Sequence, residues 1–128
     1  MRIYANTLAA IILTVTSTST LAEWTLVDSN ESFDSYVNFA TIRRDGEKAK
    51  MWTMADYKAR NGKPYLSDNT LVAFGCKDET LRVLSLTRFK KNMGLGEVTS
   101  IDNAPGEVAY VLPDSLGEKL LKIACGKK

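Results

Sequence analysis

From residue 24 onward the chain alternates apolar and polar positions with a period of two, in short stretches separated by turn-forming residues. The first two stretches are 24–27 and 36–39, joined by a polar link at 28–34 that contains Ser29, Asn30 and Ser32. Residues 43–47, Arg-Arg-Asp-Gly-Glu, read as a turn, because Asp-Gly tolerates the positive φ of a tight hairpin. A long strand follows at 48–57, with Ala49 and Met51 on one side and Lys50, Trp52 and Met54 on the other. Asn61-Gly62 and Pro64 mark a loop at 59–64. The segment 70–76 sets Val72, Phe74 and Cys76 against Leu71, Ala73 and Gly75. After a turn at 77–79, even alternation over 81–90 predicts Leu81, Val83 and Phe89 on one face and Arg82, Leu84, Leu86 and Arg88 on the other. Residues 92–96 break the pattern, and shorter strands are expected at 98–101 and 108–112, split by Asn103-Ala104-Pro105-Gly106. Strands and turns at this spacing predict an antiparallel sheet of about six strands.

The period changes at the C-terminal end. Ser115 reads as an N-cap with Glu118 three residues on, and Leu116, Leu120, Ile123 and Ala124 recur at helical spacing with Leu121 beside them. Lys119, Lys122, Lys127 and Lys128 gather toward the negative end of the helix dipole, and Cys125 closes the helix. The fold class is therefore α+β: one antiparallel sheet with a C-terminal helix packed on one face.

The N-terminus has a different character. One positive charge at Arg2 precedes an apolar run at 8–15 and a small-residue stretch ending in Ala22, the three regions of an export signal. The run is shorter than the about 20 residues needed to span a bilayer. We expect residues 1–22 to be a signal peptide cleaved after Ala22, and residues 23–128 to form one soluble domain, periplasmic or secreted. No cysteine near the cleavage point offers a lipid attachment, so no stable membrane anchor is expected. In an oxidising compartment the two cysteines, Cys76 and Cys125, are expected to form one disulfide, which pins the helix to the face carrying Val72 and Phe74.

Of the 128 residues, 45% are hydrophobic and 25% charged, with 17 basic against 15 acidic residues for a formal charge of +2. Such a mild charge supplies no field for nucleic-acid binding. The chain has no histidine, which excludes Ser-His-Asp and Cys-His catalysis and every His-ligated metal site. Two cysteines alone do not make a structural zinc site. No metal and no cofactor are expected. Gly94-Leu95-Gly96 lacks the further glycine and the Lys-Ser/Thr of a phosphate loop and reads as a turn. Asp56 and Glu97 are a conceivable carboxylate pair for glycoside chemistry, but no spacing fixes their separation, and charged residues at strand ends are ordinarily solvated. Trp24 and Trp52 read as core rather than as ligand platforms.

A helix about 16 Å long and 10 Å wide does not cover both faces of a sheet about 25 Å across. Trp52, Met54, Leu84 and Leu86 alternate opposite to the main core, among lysines and arginines. Long cationic side chains lying over these apolar groups are one reading; a semi-apolar, basic-rimmed surface for a partner or a second copy is the other. Candidate partner-binding residues are Arg43, Arg44, Lys48, Lys50, Trp52, Arg82 and Arg88. Solvated charges that deter edge pairing are the bland alternative for the hairpin cations.

Trp24, Tyr36-Val37-Asn38, Ile42-Arg43-Arg44-Asp45-Gly46, Met51-Trp52, Asp56-Tyr57-Lys58, Tyr65 and Ser67 form a recognisable series. It continues through Phe74-Gly75-Cys76, Leu81-Arg82-Val83-Leu84-Ser85, Met93-Gly94-Leu95-Gly96-Glu97, Pro113, Ser115, Leu120-Leu121 and Cys125. In these residues the chain resembles the surface-adhesin protein E family of bacterial exported proteins. The resemblance implies a sheet of about six strands with a disulfide-linked C-terminal helix, and a non-enzymatic adhesive function through protein contacts with host matrix or an envelope partner. It carries no catalytic motif. Asn38 and Gly75 stand where family members often have acidic residues, and the surface-displayed adhesin's lipid-anchoring cysteine has no counterpart, which favours a periplasmic location. Two further expectations are a homodimer, and, as the alternative function, an inhibitor or accessory protein of an enzyme such as lysozyme acting through the loop at 59–64 or 92–96.

Overall fold

The period-two segments form eight strands in a computed structural model that describes residues 23–127. They are β1 (Thr25–Ser29), β2 (Phe33–Val37), β3 (Arg43–Asp45), β4 (Lys48–Tyr57), β5 (Ser67–Gly75), β6 (Thr80–Phe89), β7 (Val98–Asp102) and β8 (Ala109–Tyr110), followed by the helix α1 (Leu116–Cys125). All pairings are antiparallel and run β1-β2-β4-β5-β6-β7, with β3 added to β4 and β8 to β6. The expected signal segment 1–22 lies outside the described residues.

Local chemistry moved some boundaries. The polar link at 28–34 is a hairpin whose turn Asn30 organises, its Oδ1 accepting from the amides of Ser32 and Phe33 at 2.8 and 2.9 Å. The second strand consequently occupies 33–37, and 39–41 is a 3-10 turn capped by Asn38. Arg43–Asp45, expected as turn, is strand β3, with Asp45 opposite Lys48 and only Gly46 and Glu47 between them. Gly46 takes the positive φ, 58°, that such a connection requires.

One face of the sheet carries the core: Val37, Ala49, Met51, Val72 and Phe74 pack against Leu120, Leu121 and Ala124 of α1. Val37 and Met51 have no exposed surface. Leu116 and Ile123, also on the expected stripe, sit at the margin of this cluster. Ser115 Oγ accepts from the Glu118 amide at 3.2 Å; the Glu118 carboxylate reaches back to the Asp114 amide at 2.9 Å, one residue beyond the expected capping-box partner. The C-terminal end of α1 is fastened three times. Cys76 and Cys125 form the disulfide, Cα to Cα 5.8 Å. Lys127 Nζ donates to the Cys76 carbonyl at 2.6 Å, and Arg44 donates to the carbonyls of Ala124 and Ile123 at 2.7 and 3.3 Å.

The even alternation expected over 81–90 fails at one residue. Val72 lies opposite Val83 but Leu71 lies opposite Ser85, so Leu84 is an extra residue in β6, a β-bulge. Beyond it every side chain changes face. Leu86 and Arg88, opposite Thr70 and Asp68, fall on the helix side, while Phe89, opposite Ser67, falls on the other. Arg82 and Arg88 are therefore on opposite faces, not on the shared face that alternation predicts.

Candidate functional site

The face turned away from α1 is divided between a covered end and an open end. At the covered end, the 3-10 turn Asn92–Gly94 lies over Met54, which is 1% exposed. Asp56 Oδ1 accepts from Asn92 Nδ2 and the Met93 amide, both at 2.9 Å, and Ser67 Oγ accepts from the Gly94 amide at 2.9 Å. Asp56, weighed as an acid/base group with Glu97, thus holds a turn in place. The loop at 59–64 is also tied down: Arg60 donates to the Lys90 carbonyl at 3.0 Å, and Lys63 Nζ sits 4.7 Å from the Tyr57 ring centre.

At the open end the strand register builds a row across the sheet: Arg43 of β3, Lys50 of β4, Ala73 of β5 and Arg82 of β6. Trp52, Leu71 and Ser85 form the next row. Two adjoining hollows of about 320 Å³ each lie here. Arg43, Arg44, Asp45, Lys48, Ala49, Lys50, Ala73 and Leu84 line one; Thr41, Arg43, Lys50, Trp52 and Leu71 line the other. Arg43 and Lys50 belong to both, so the hollows form one shallow trough with an apolar floor and a cationic rim. The guanidinium of Arg43 is steadied by the carbonyls of Ala40 and Ile42, each at 3.0 Å. The ion pairs among the described residues are Lys58–Asp34, Lys119–Asp28 and Lys122–Glu118. The trough cations take no part in them, and Asp45 is the acidic residue in its lining.

Of the seven residues singled out from sequence, Arg43, Lys48, Lys50 and Trp52 meet in this trough. Arg82 shares the face but donates to the Gly106 carbonyl at 2.7 Å, holding the chain between β7 and β8. Arg44 borders the first hollow, but its side chain is on the other face, where its guanidinium caps α1. Arg88 is also on the helix side, its guanidinium 4.8 Å from the Tyr65 ring centre. Thr41 and Ala73 were not anticipated; both are small, and only the register places them between the cations.

Arg88 belongs to a second cluster, on the helix-side face beyond the reach of α1. Asp68 is buried there and accepts from Tyr57 Oη at 2.8 Å, and Tyr57 meets Phe33 and Tyr65 edge to face. Burial pushes the Asp68 carboxyl above its ordinary range, against the opposing pull of Tyr57, the Ala55 backbone, Arg88 and Thr70. Burial, reinforced by the bond to Asp68, holds the Tyr57 phenol above its usual value. This cluster anchors the segment between β4 and β5.

The trough offers oriented donors and apolar contact to an anionic, partly apolar ligand. No grouping of three His, Cys, Asp or Glu side chains suited to a metal ion occurs among the described residues, and none of the helices described is long and apolar enough to cross a membrane.

No match was found among the curated proteins. Solved structures of Haemophilus influenzae protein E share the fold. One crystal form aligns with a TM-score of 0.59 at 13% identity, covering 77% of this chain and 91% of that one. Another aligns at 0.58 and 12%, covering 80% and 93%. Protein E from non-typeable Haemophilus influenzae aligns at 0.56 and 12%, covering 81% and 84%. The family model for surface-adhesin protein E matches residues 24–126, nearly the whole described length, and the chain belongs to that family.

Proposed function

We propose that this protein is a non-enzymatic, exported binding module that grips a protein partner, in the host matrix or the cell envelope, through the trough between Arg43, Lys50 and Trp52. The observation that carries this reading is a set of cations outside any ion pair, set over an apolar floor on a sheet face that α1 leaves open. Family membership and the disulfide support an adhesive role outside the cytoplasm. The partner contributes a carboxylate-bearing segment to the rim and apolar side chains to the floor. The charged rim accelerates encounter and fixes register, while the floor slows release.

The test is binding of immobilised matrix and envelope proteins by the wild type and by Arg43→Glu/Lys50→Glu. The wild type is expected to bind saturably and to weaken as salt rises. The double variant is expected to lose at least about tenfold in affinity with its melting curve intact, since both residues are on the surface. Equal binding by the two proteins, or no saturable binding by the wild type, overturns the reading. Lysozyme activity measured with and without the protein checks the inhibitor alternative, for which the tethered loops at 59–64 and 92–96 supply no support.

A further inference from the structure

We propose that the end of the sheet remote from the trough is a docking tip for a membrane surface of anionic phospholipid. Two neighbouring loops form it, 58–64 after β4 and 90–97 after β6, tied together where Arg60 donates to the Lys90 carbonyl at 3.0 Å. They carry Lys58, Arg60, Lys63, Lys90 and Lys91, all exposed, against one acid, Glu97. A surplus of four positive charges in two loops exceeds the +2 of the whole chain, so the mild net charge conceals a basic end. Acids on the adjoining strands are mostly taken up. Asp28 and Asp34 are matched by Lys119 and Lys58, Asp56 accepts from Asn92 and the Met93 amide, and buried Asp68 accepts from Tyr57 Oη. Glu31, in the β1–β2 turn, remains exposed. Arg60, Lys63, Lys90 and Lys91 belong to none of the ion pairs among the described residues.

Within this basic rim Met93 and Leu95 are 36% and 52% exposed. The turn that carries them is tightly held. Besides the bonds to Asp56 and Ser67 described above, Ser67 Oγ donates to the Lys91 carbonyl at 2.6 Å. The Lys91 amide donates to the Leu95 carbonyl at 3.0 Å, and the Lys90 amide to the Glu97 carbonyl at 2.8 Å. Two aliphatic side chains are thus kept at the surface by a backbone with little ordering left to lose on docking. A lysine-rich rim argues for lipid over protein, because lysine is depleted at protein interfaces. At a headgroup layer the ammonium groups meet phosphates, while the lysine stems, Met93 and Leu95 reach past them toward the acyl boundary. So few apolar groups give reversible, salt-sensitive docking and no permanent anchor. Lys50 and Tyr57 are seven residues apart on β4, ~24 Å, so the trough stays clear and the two binding functions are independent.

Flotation with phosphatidylcholine vesicles, plain or containing about one-third phosphatidylglycerol, tests this at ~0.1 M salt, where screening over ~10 Å isolates the tip from the trough. The wild type is expected to bind the mixed vesicles, to leave them as salt rises, and not to bind plain ones. Lys90→Gln/Lys91→Gln is expected to lose about twentyfold, at about fivefold per lysine, with circular dichroism unchanged. Arg43→Glu/Lys50→Glu is expected to bind within about twofold of wild type, so failure at the tip and failure of the trough reading are told apart. Leu95→Cys supplies one free thiol in a chain whose other cysteines are bridged. An environment-sensitive fluorophore on it is expected to shift to the blue with mixed vesicles, which decides the matter if the lysine variant fails to fold. No binding to mixed vesicles, equal binding to plain ones, or undiminished binding by the lysine variant overturns the proposal. So does a loss in the trough variant as large as in the lysine variant, or tighter binding to soluble polyglutamate than to mixed vesicles, which would mark an acidic polypeptide as the partner.

Discussion

Arg43 and Arg44 are adjacent in sequence and serve opposite faces: one rims the trough, the other caps a helix 80 residues away. Strand geometry alone separates them, because successive side chains point to opposite sides. Asp68 is the residue at which environment has the clearest titrational consequence. Its carboxyl is raised by burial, so between the ordinary carboxylate range and its raised value the folded chain holds more proton than the unfolded one. Stability from this site is present at low pH and lost as pH rises through that window. Glu118 has the opposite sign: a hydrogen bond from Lys122, with one from the Asp114 amide, lowers its pKa, and its contribution fades as pH falls. Asp68→Asn isolates the first effect. Comparing urea midpoints of wild type and variant from about pH 4 to 7, the wild type is expected to lose ground steadily to the variant. A difference independent of pH would show that Asp68 does not titrate in this way.

The type of each element follows from hydrophobic period, and the helix, the long central strands and the Asp-Gly hairpin were all legible in the sequence. What was not legible is register. Nothing in Leu84 announces that it is an extra residue, yet it transfers Leu86, Arg88 and Phe89 to new faces and splits the expected basic surface in two. The same limit hid the capping role of Arg44, because a segment read as turn has no faces. The helix gives this a measurable form. Arg44→Ala removes two charged hydrogen bonds from the last turn of α1 and is expected to cost about 1–2 kcal/mol, with faster amide exchange in α1. Gly126→Ala should act in the same direction by about 1 kcal/mol, since Gly126 sits at φ 69° and an added Cβ would lie 3.2 Å from the Arg44 guanidinium. Arg43→Ala, one residue away, is expected to stay within ~0.5 kcal/mol of wild type. Chemical denaturation of the three variants gives the comparison, and equal effects for Arg43 and Arg44 would contradict the assigned faces.

At the scale of the molecule, one bridge spanning 49 residues encloses β6, β7, β8 and α1 in a single covalent loop. A loop of that length is worth about 4 kcal/mol in the chain-entropy model, a large part of the roughly 5–15 kcal/mol that holds a small domain folded. Cys125→Ser, or reduction of the native protein, is therefore expected to lower Tm by on the order of 20 °C. Cys76→Ser/Cys125→Ser should fall no further than either single variant, because one bond is lost in each case. The location of the damage matters more than its size. The strands that form the trough, β3 to β6, are held to one another by their own ladders, and the trough lies on the face α1 does not touch. Well below the lowered Tm, the reduced protein is thus expected to keep its affinity for a matrix or envelope partner within about twofold while its helix amides lose protection. Loss of binding in step with loss of helix protection would mean that the partner is held on the helix side, and that the open face is not the working surface.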